Sequence, residues 1–239
     1  MPIQASLDLE HLKIIPPASV DDMGMVLANQ GERYWSYAEA IAPRGGVESS
    51  TYWRVVFSLL SVGTSLKANE AAYRLLLDNP EVLPDQDRLS KLLGLVRAGG
   101  SHSTVPYHKT KARYISIFTN NYWKEGIDNT PFLWDNFSES LSDYRHRLMG
   151  MVKGLGIAKS SFAVALMYPT ISDVVCLDRH MLRLLGWPKP SIPIAAYLEL
   201  ERMVVNIGQE TGHPGFIAQW CLWDAIRGSD EAHSSLKEG

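Results

Sequence analysis

Residues 148–183 read LMGMVKGLGIAKSSFAVALMYPTISDVVCLDRHMLR, and the fold turns on this stretch. Two helical segments, Phe132–Met149 and Ile157–Tyr168, flank the short turn Val152-Lys153-Gly154-Leu155-Gly156. That pattern predicts a hairpin of two helices. The two glycines of G-x-G allow positive φ and close backbone approach. The second helix then opens with amides that have no intrahelical acceptor, and with the helix dipole they form an anion site. Lys153 adds a cation beside the turn. The small residues Ala158, Ser160 or Ser161, and Ala163 permit close packing, and the chain bends at Tyr168-Pro169. The apolar run Asp173–Leu177 then delivers Asp178 to the start of a short helix, Asp178–Leu185, where aspartate is a favoured cap.

Working outward, the rest of the chain also reads as helix. Ser19, Asp21 and Asp22 offer caps for a helix over Met23–Asn29, after Pro16-Pro17 stops any earlier one. Further helices are expected over Glu32–Ala42, Tyr52–Val62, Leu66–Asp78, from Asp85 or Asp87 toward Val96, and over Pro106–Thr119, Ile194–Ile207 and Phe216–Ile226. Tyr52–Val62 is apolar nearly all round, which marks a buried central helix. Ala98–Ser103 reads as a loop, and strand signals are scarce. The expectation is an all-α chain of about ten to twelve helices.

Composition narrows the class. The 239 residues are 46% hydrophobic, 10% aromatic and 21% charged, which is a packed globular chain rather than a disordered or fibrous one. No apolar run approaches the roughly 18 residues of a membrane helix. The opening MPIQASLDLEHLKIIPPASVDD shows no basic region followed by an apolar one, so it does not read as a secretory signal. A cytoplasmic protein of a bacterial or phage-infected cell is expected. Cys176 and Cys221 are too few for a disulfide framework, a zinc finger or a four-cysteine cluster.

The net charge of −3 conceals a strong asymmetry. Arg88–Lys124 holds seven cations (Arg88, Lys91, Arg97, Lys109, Lys111, Arg113, Lys124) and no acid, and Leu141–Lys189 holds seven more against Asp143, Asp173 and Asp178. The remaining residues are strongly acidic. One basic face able to follow a polyanion is the functional reading of this pattern.

At these residues the chain resembles the helix-hairpin-helix DNA glycosylase superfamily, the endonuclease III-like group, in a divergent branch of phage type. Val152–Ser160 is similar to that family's L-P-G-V-G-x-K-T-A hairpin, and Leu177-Asp178-Arg179-His180-Met181-Leu182-Arg183 to its V-D-T-H-x-x-R. Upstream, Phe57–Ser65 resembles L-L-S-x-Q-x-T, and Val105–Ile115 resembles G-x-Y-x-x-K-A-x-x-I. The matches keep family order over roughly residues 50–185. The resemblance implies a two-lobed helical fold with the active-site cleft between lobes: an arm and helices in 1–49 that pack on the second lobe, a first lobe over 50–135, and the hairpin lobe over 136–239.

The departures are informative. Ala158 stands where bifunctional members carry the Schiff-base lysine, and Lys159 follows one residue later, about 100° around the helix. Gly63 replaces a glutamine that some members insert into the DNA, Lys153 replaces the hairpin proline, and no iron–sulfur cluster is expected. The resemblance implies no cofactor beyond a structural monovalent cation at the hairpin. No metal is expected, His102 and His108 being read as surface or phosphate-contacting residues.

The implied catalytic residues are Asp178 and Lys159. Lys153, Gly154, Leu155, Gly156 and Ile157 of the hairpin, with Lys109, Lys111, Arg179 and His180, would hold double-stranded DNA containing a modified base. An extruded base needs an aromatic or apolar pocket, for which Trp53, Tyr107, Gln219, Trp220, Trp223 and Asp224 are candidates. The leading expectation is a monomeric, monofunctional DNA glycosylase. One alternative is a transferase of the same fold that adds an amine or amino acid to an activated 5-hydroxymethyluracil in phage DNA. Another is a non-catalytic DNA-binding module. The enzymatic readings require the hairpin and Asp178 to face one space.

Overall fold

The computed structural model describes residues 17–42, 47–96, 105–124, 128–187, 189 and 191–228. The arm before Pro17 and the Ala98–Ser103 loop, with His102, lie outside these residues. Among the described residues the regular structure is entirely helical: α1 (Val20–Gln30), α2 (Trp35–Ile41), α3 (Val47–Leu60), α4 (Leu66–Leu77), α5 (Gln86–Leu95), α6 (His108–Tyr122), α7 (Leu141–Met151), α8 (Ile157–Met167), α9 (Arg179–Leu184), α10 (Ile194–Glu210) and α11 (Gly215–Arg227), with three short 3-10 turns. No helix among them is long and apolar enough to cross a membrane.

Local caps set several boundaries. The Ser19 hydroxyl accepts the Asp22 amide, and the Asp22 carboxylate accepts the Ser19 amide. Ser65 caps α4 by accepting the Ala68 amide, and Asp85 caps α5 by accepting those of Asp87 and Arg88. The expected helix over Phe132–Met149 is shorter, because Ser140 caps α7 by accepting the Asp143 amide. The preceding residues form a turn in which Asp135 accepts the Phe137 amide and the Ser138 hydroxyl, and the Trp134 indole donates to the Glu139 carbonyl. These side chains satisfy the backbone outside a helix, which periodicity alone does not reveal.

The apolar α3 is central. Val55, Val56, Phe57, Leu59 and Leu60 are buried, and α3 packs against α4, α6 and α8. The buried Ser160, Ser161, Ala163 and Ala165 of α8 let it approach closely, with the Phe57 and Phe162 rings 5.9 Å apart. The hairpin helices α7 and α8 pack together, and α1 lies across α10 and α11. The 610 Å³ cleft that results is walled by the α3–α4 turn on one side, and by the start of α8, residues 176–182 and α11 on the other.

The two hairpin glycines do different work. Gly154 has φ +99°, and a Cβ there would overlap the Tyr114 ring of α6. Gly156 caps α8 in extended conformation, φ −89° and ψ 177°, with open space around it. Only the first therefore needs to be glycine, which corrects the expectation for the pair. Gly154→Ala is expected to cost about 2–4 kcal/mol of folding stability, since backbone strain and overlap combine. Gly156→Ala is expected to cost less than about 1 kcal/mol. Paired urea titrations of the two variants check the contrast.

Candidate active site

Asp178 is fixed from three directions. It caps α9, with Oδ1 accepting the amides of His180 at 2.9 Å and Met181 at 3.0 Å. Its Oδ2 accepts the Trp223 indole N–H from α11 at 3.0 Å. The carboxylate is half-buried and lines the cleft.

The segment that delivers it is extended yet pairs with no strand, so its amides must find other partners. Three consecutive ones are held by side chains. Glu201 Oε1 accepts from Val175 at 2.9 Å, Gln219 Oε1 from Cys176 at 2.6 Å, and the Tyr197 hydroxyl from Leu177 at 3.0 Å. Glu201 is itself bound by the fully buried Arg145, with Nη1 2.6 Å from Oε1. Burial raises the Glu201 carboxyl above its ordinary range even with that guanidinium beside it. The Asp178 loop is thus clamped by side chains of α7, α10 and α11.

The start of α8 lines the same cleft, through Ile157, Ala158 and Lys159. The one-residue displacement of the lysine does not take it out of the cleft. The Lys159 ammonium lies 5.2 Å from the centre of the Phe162 ring. An aromatic wall continues from Phe162 to Trp220 at 6.0 Å, Trp220 to Trp223 at 5.6 Å, and Trp223 to His180 at 6.2 Å. Gln219, Trp220, Trp223, Arg179 and His180 line the same cleft.

Other expectations are corrected. Lys111 does not lie on an exposed basic face: it is 3% exposed and its ammonium donates to the Thr64 hydroxyl in the cleft wall. Lys111 shares the buried face of α6 with Ile115 and Phe118, while Lys109 and Arg113 are exposed. Leu155 belongs to the hydrophobic core, not to a contact surface. Trp53 packs edge-on against Tyr52 and Tyr73, away from the cleft. Asp224 is buried and accepts the Tyr34 hydroxyl at 2.9 Å. Tyr107 is 70% exposed, at φ +55°, with its ring beside Gly63 at the cleft rim rather than inside it. Lys109 and Lys153 are exposed cations, while Ile157 is half-buried.

Sequence reading missed Thr64, Asn69, Phe162 and Tyr197, all of which line the cleft. Asn69 donates to the Phe57 carbonyl at 3.3 Å, and its own carbonyl oxygen, like the Trp220 indole N–H, is buried without a partner among the described residues. No local signal marks these positions, because each is defined by a neighbour distant in sequence. Among the described residues no cluster of three or more histidine, cysteine, aspartate or glutamate residues could hold a metal ion.

Burial and the neighbouring Lys159 charge pull the Lys111 amine down to about 7. The folded protein then binds fewer protons than the unfolded chain between about pH 7 and the ordinary lysine range, so this group makes stability rise with pH there. Lys111→Met is expected to raise the melting temperature most near pH 6–7, with the gain shrinking by pH 10. Thermal melts across that range check the sign.

This all-helical arrangement, with the first turn of α8 and Asp178 on one cleft, has the fold of solved DNA glycosylases. The structure is similar to the 8-oxoguanine DNA glycosylase of Thermotoga maritima, with a TM-score of 0.67 and 16% identity over 88% of this chain and 96% of that one. It is also similar to the Methanocaldococcus jannaschii 8-oxoguanine DNA glycosylase, with a TM-score of 0.65 and 16% identity over 88% and 94% of the two chains. The same archaeal glycosylase/lyase in complex with a 15mer DNA containing 8-oxoguanine gives a TM-score of 0.61 and 16% identity, covering 88% and 90%. At this identity the likeness establishes the fold. No family model matches the sequence, and no curated protein matches it.

Proposed function

We propose that this protein is a DNA-acting, base-extruding enzyme: a monofunctional DNA glycosylase that hydrolyses the N-glycosidic bond of a modified or damaged base. The observation that carries the reading is that the Asp178 carboxylate and the first turn of α8 line one cleft. The first-turn amides of α8, with the exposed Lys153 and Arg179, would take DNA phosphates, in keeping with the DNA complex of the archaeal fold neighbour.

With the backbone held there, an extruded nucleotide would enter the cleft against Phe162, Trp220 and Trp223. Bond breaking leaves positive charge on the deoxyribose. A carboxylate already held by two backbone amides and an indole needs no reorganisation to stabilise that charge. Water then adds to C1′ of the sugar, and the proton it gives up is balanced by the one the departed base takes from solvent. Ala158 offers no amine, which supports hydrolysis over an imine at that position. Lys159 enters the same cleft, where its ammonium is placed to hold the substrate's polar groups.

The test uses duplexes carrying 8-oxoguanine and a panel of other modified bases, followed by hot alkali and mass spectrometry of the nucleosides. Release of a free base with an alkali-labile site supports the proposal. A nucleoside of increased mass without base loss identifies a group transferase instead. DNA binding with no product from any base leaves a binding module and overturns the enzymatic reading.

A further inference from the structure

The charges around the cleft point to a narrower substrate class. Its lining holds three cations, Lys159, Arg179 and Lys189, and one carboxylate, Asp178. That carboxylate is already engaged, Oδ1 with two amides and Oδ2 with the Trp223 indole. Behind the wall stands a fourth cation. Lys111 is buried and donates to the Thr64 hydroxyl, whose own proton goes to the Leu60 carbonyl at 2.8 Å. Lys111 has no carboxylate partner among the described residues, and the like charge of Lys159 acts on it.

Lys159 in the lining and Lys111 behind Thr64 put two like charges beside one poorly solvated cleft, and each is stabilised by an anion that enters. Phosphates of the DNA backbone would run along the outside, where Lys153 is exposed. They do not reach a wall of which Lys111 is the buried back. What enters the cleft is the extruded unit itself.

We infer that the cleft takes an extruded base bearing an anionic substituent, held by Lys159 with Lys111 behind it. The inference rests on the base-extruding reading above and specifies its substrate. A base made acidic by a carboxylate or phosphate group fits this wall. The same anion chemistry on a free ion is the competing source.

The experiment compares duplexes carrying 5-carboxyuracil or 5-carboxycytosine with the 5-hydroxymethyl counterparts, using wild-type protein, Lys111→Met and Lys159→Gln. A 2-aminopurine beside the modified base reports extrusion. Wild type is expected to bind the carboxylated duplex at least about tenfold tighter than its hydroxymethyl partner, about 1.4 kcal/mol. Both variants are expected to lose that ratio, and Lys111→Met to do so while still binding unmodified duplex. Equal affinity for charged and neutral bases, with extrusion still seen, overturns the subsite and leaves the base-extruding reading standing. A preference that persists in both variants also overturns it. Inorganic phosphate that raises the wild-type but not the Lys111→Met melting temperature, with no preference among bases, assigns the wall to a free ion and overturns the base-borne anion. No extrusion of any base and no affinity for duplex DNA sinks the parent reading instead.

Discussion

Asp178→Asn is expected to reduce single-turnover base release by at least about a hundredfold, within the 10²–10⁴ range typical of such a group, while DNA affinity changes less than a few fold. The expectation separates two roles of one side chain. As a cap, Asp178 accepts the His180 and Met181 amides through Oδ1. Asparagine is nearly as good a cap and keeps that acceptor. As a charge, it faces the cleft, and there asparagine has none to offer a positive sugar.

The Oδ2 position makes the variant more diagnostic. It accepts the Trp223 indole N–H at 3.0 Å, and an asparagine oriented to keep the cap turns its amide donors toward that indole. The cost is one lost hydrogen bond, about 1 kcal/mol, too little to unfold a domain. A stable Asp178→Asn protein that binds duplex normally and still releases base at the wild-type rate would remove Asp178 from catalysis. Base release by chemical quench and affinity by fluorescence anisotropy, on the same preparation, give the two readouts.

Arg145→Ala carries the largest expected loss of stability. The guanidinium is fully buried and bonds Glu201, Ser161 and Ser142. Its removal strands the Glu201 carboxylate in the core, a break that costs about 3–5 kcal/mol in buried pairs. The damage reaches the site, because Glu201 also holds the Val175 amide three residues before Asp178. Base release should therefore fall even under conditions where the variant remains folded.

The pH dependence follows from the burial of Glu201. Its carboxyl titrates above the ordinary value in the folded protein, and loss of Arg145 removes the one cation that opposes that rise. The folded state then holds a proton that the unfolded chain has lost, so stability falls as pH rises through the folded value. The deficit of Arg145→Ala relative to wild type should be smaller near pH 5 than near pH 8. A deficit that grows on acidification would show that the carboxylate finds another cation. Urea unfolding at the two pH values decides the sign.

The helical class and most helix positions were legible because their signals are short-range. Ser19, Ser65 and Asp85 mark starts by bonding amides two or three residues on. The all-round apolar α3 announces its burial, and Asp178 announces the helix start that it caps. The α7 boundary failed where Ser140 and a side-chain-supported turn beat the helical pattern upstream.

The sequence by itself thus determined the helices, the hairpin turn and the capping role of Asp178, all set by neighbours within about four residues. Tertiary structure alone decided the rest. Lys159 enters the cleft although a residue off register, Lys111 is turned inward to Thr64, and Asp224 is drawn to Tyr34 instead of the pocket wall. The clamp on the Asp178 segment joins Glu201, Gln219 and Tyr197 to amides 20–43 residues away. Such partners are specified by which helix faces meet, and a helix pattern tells that a face is buried without telling what lies against it.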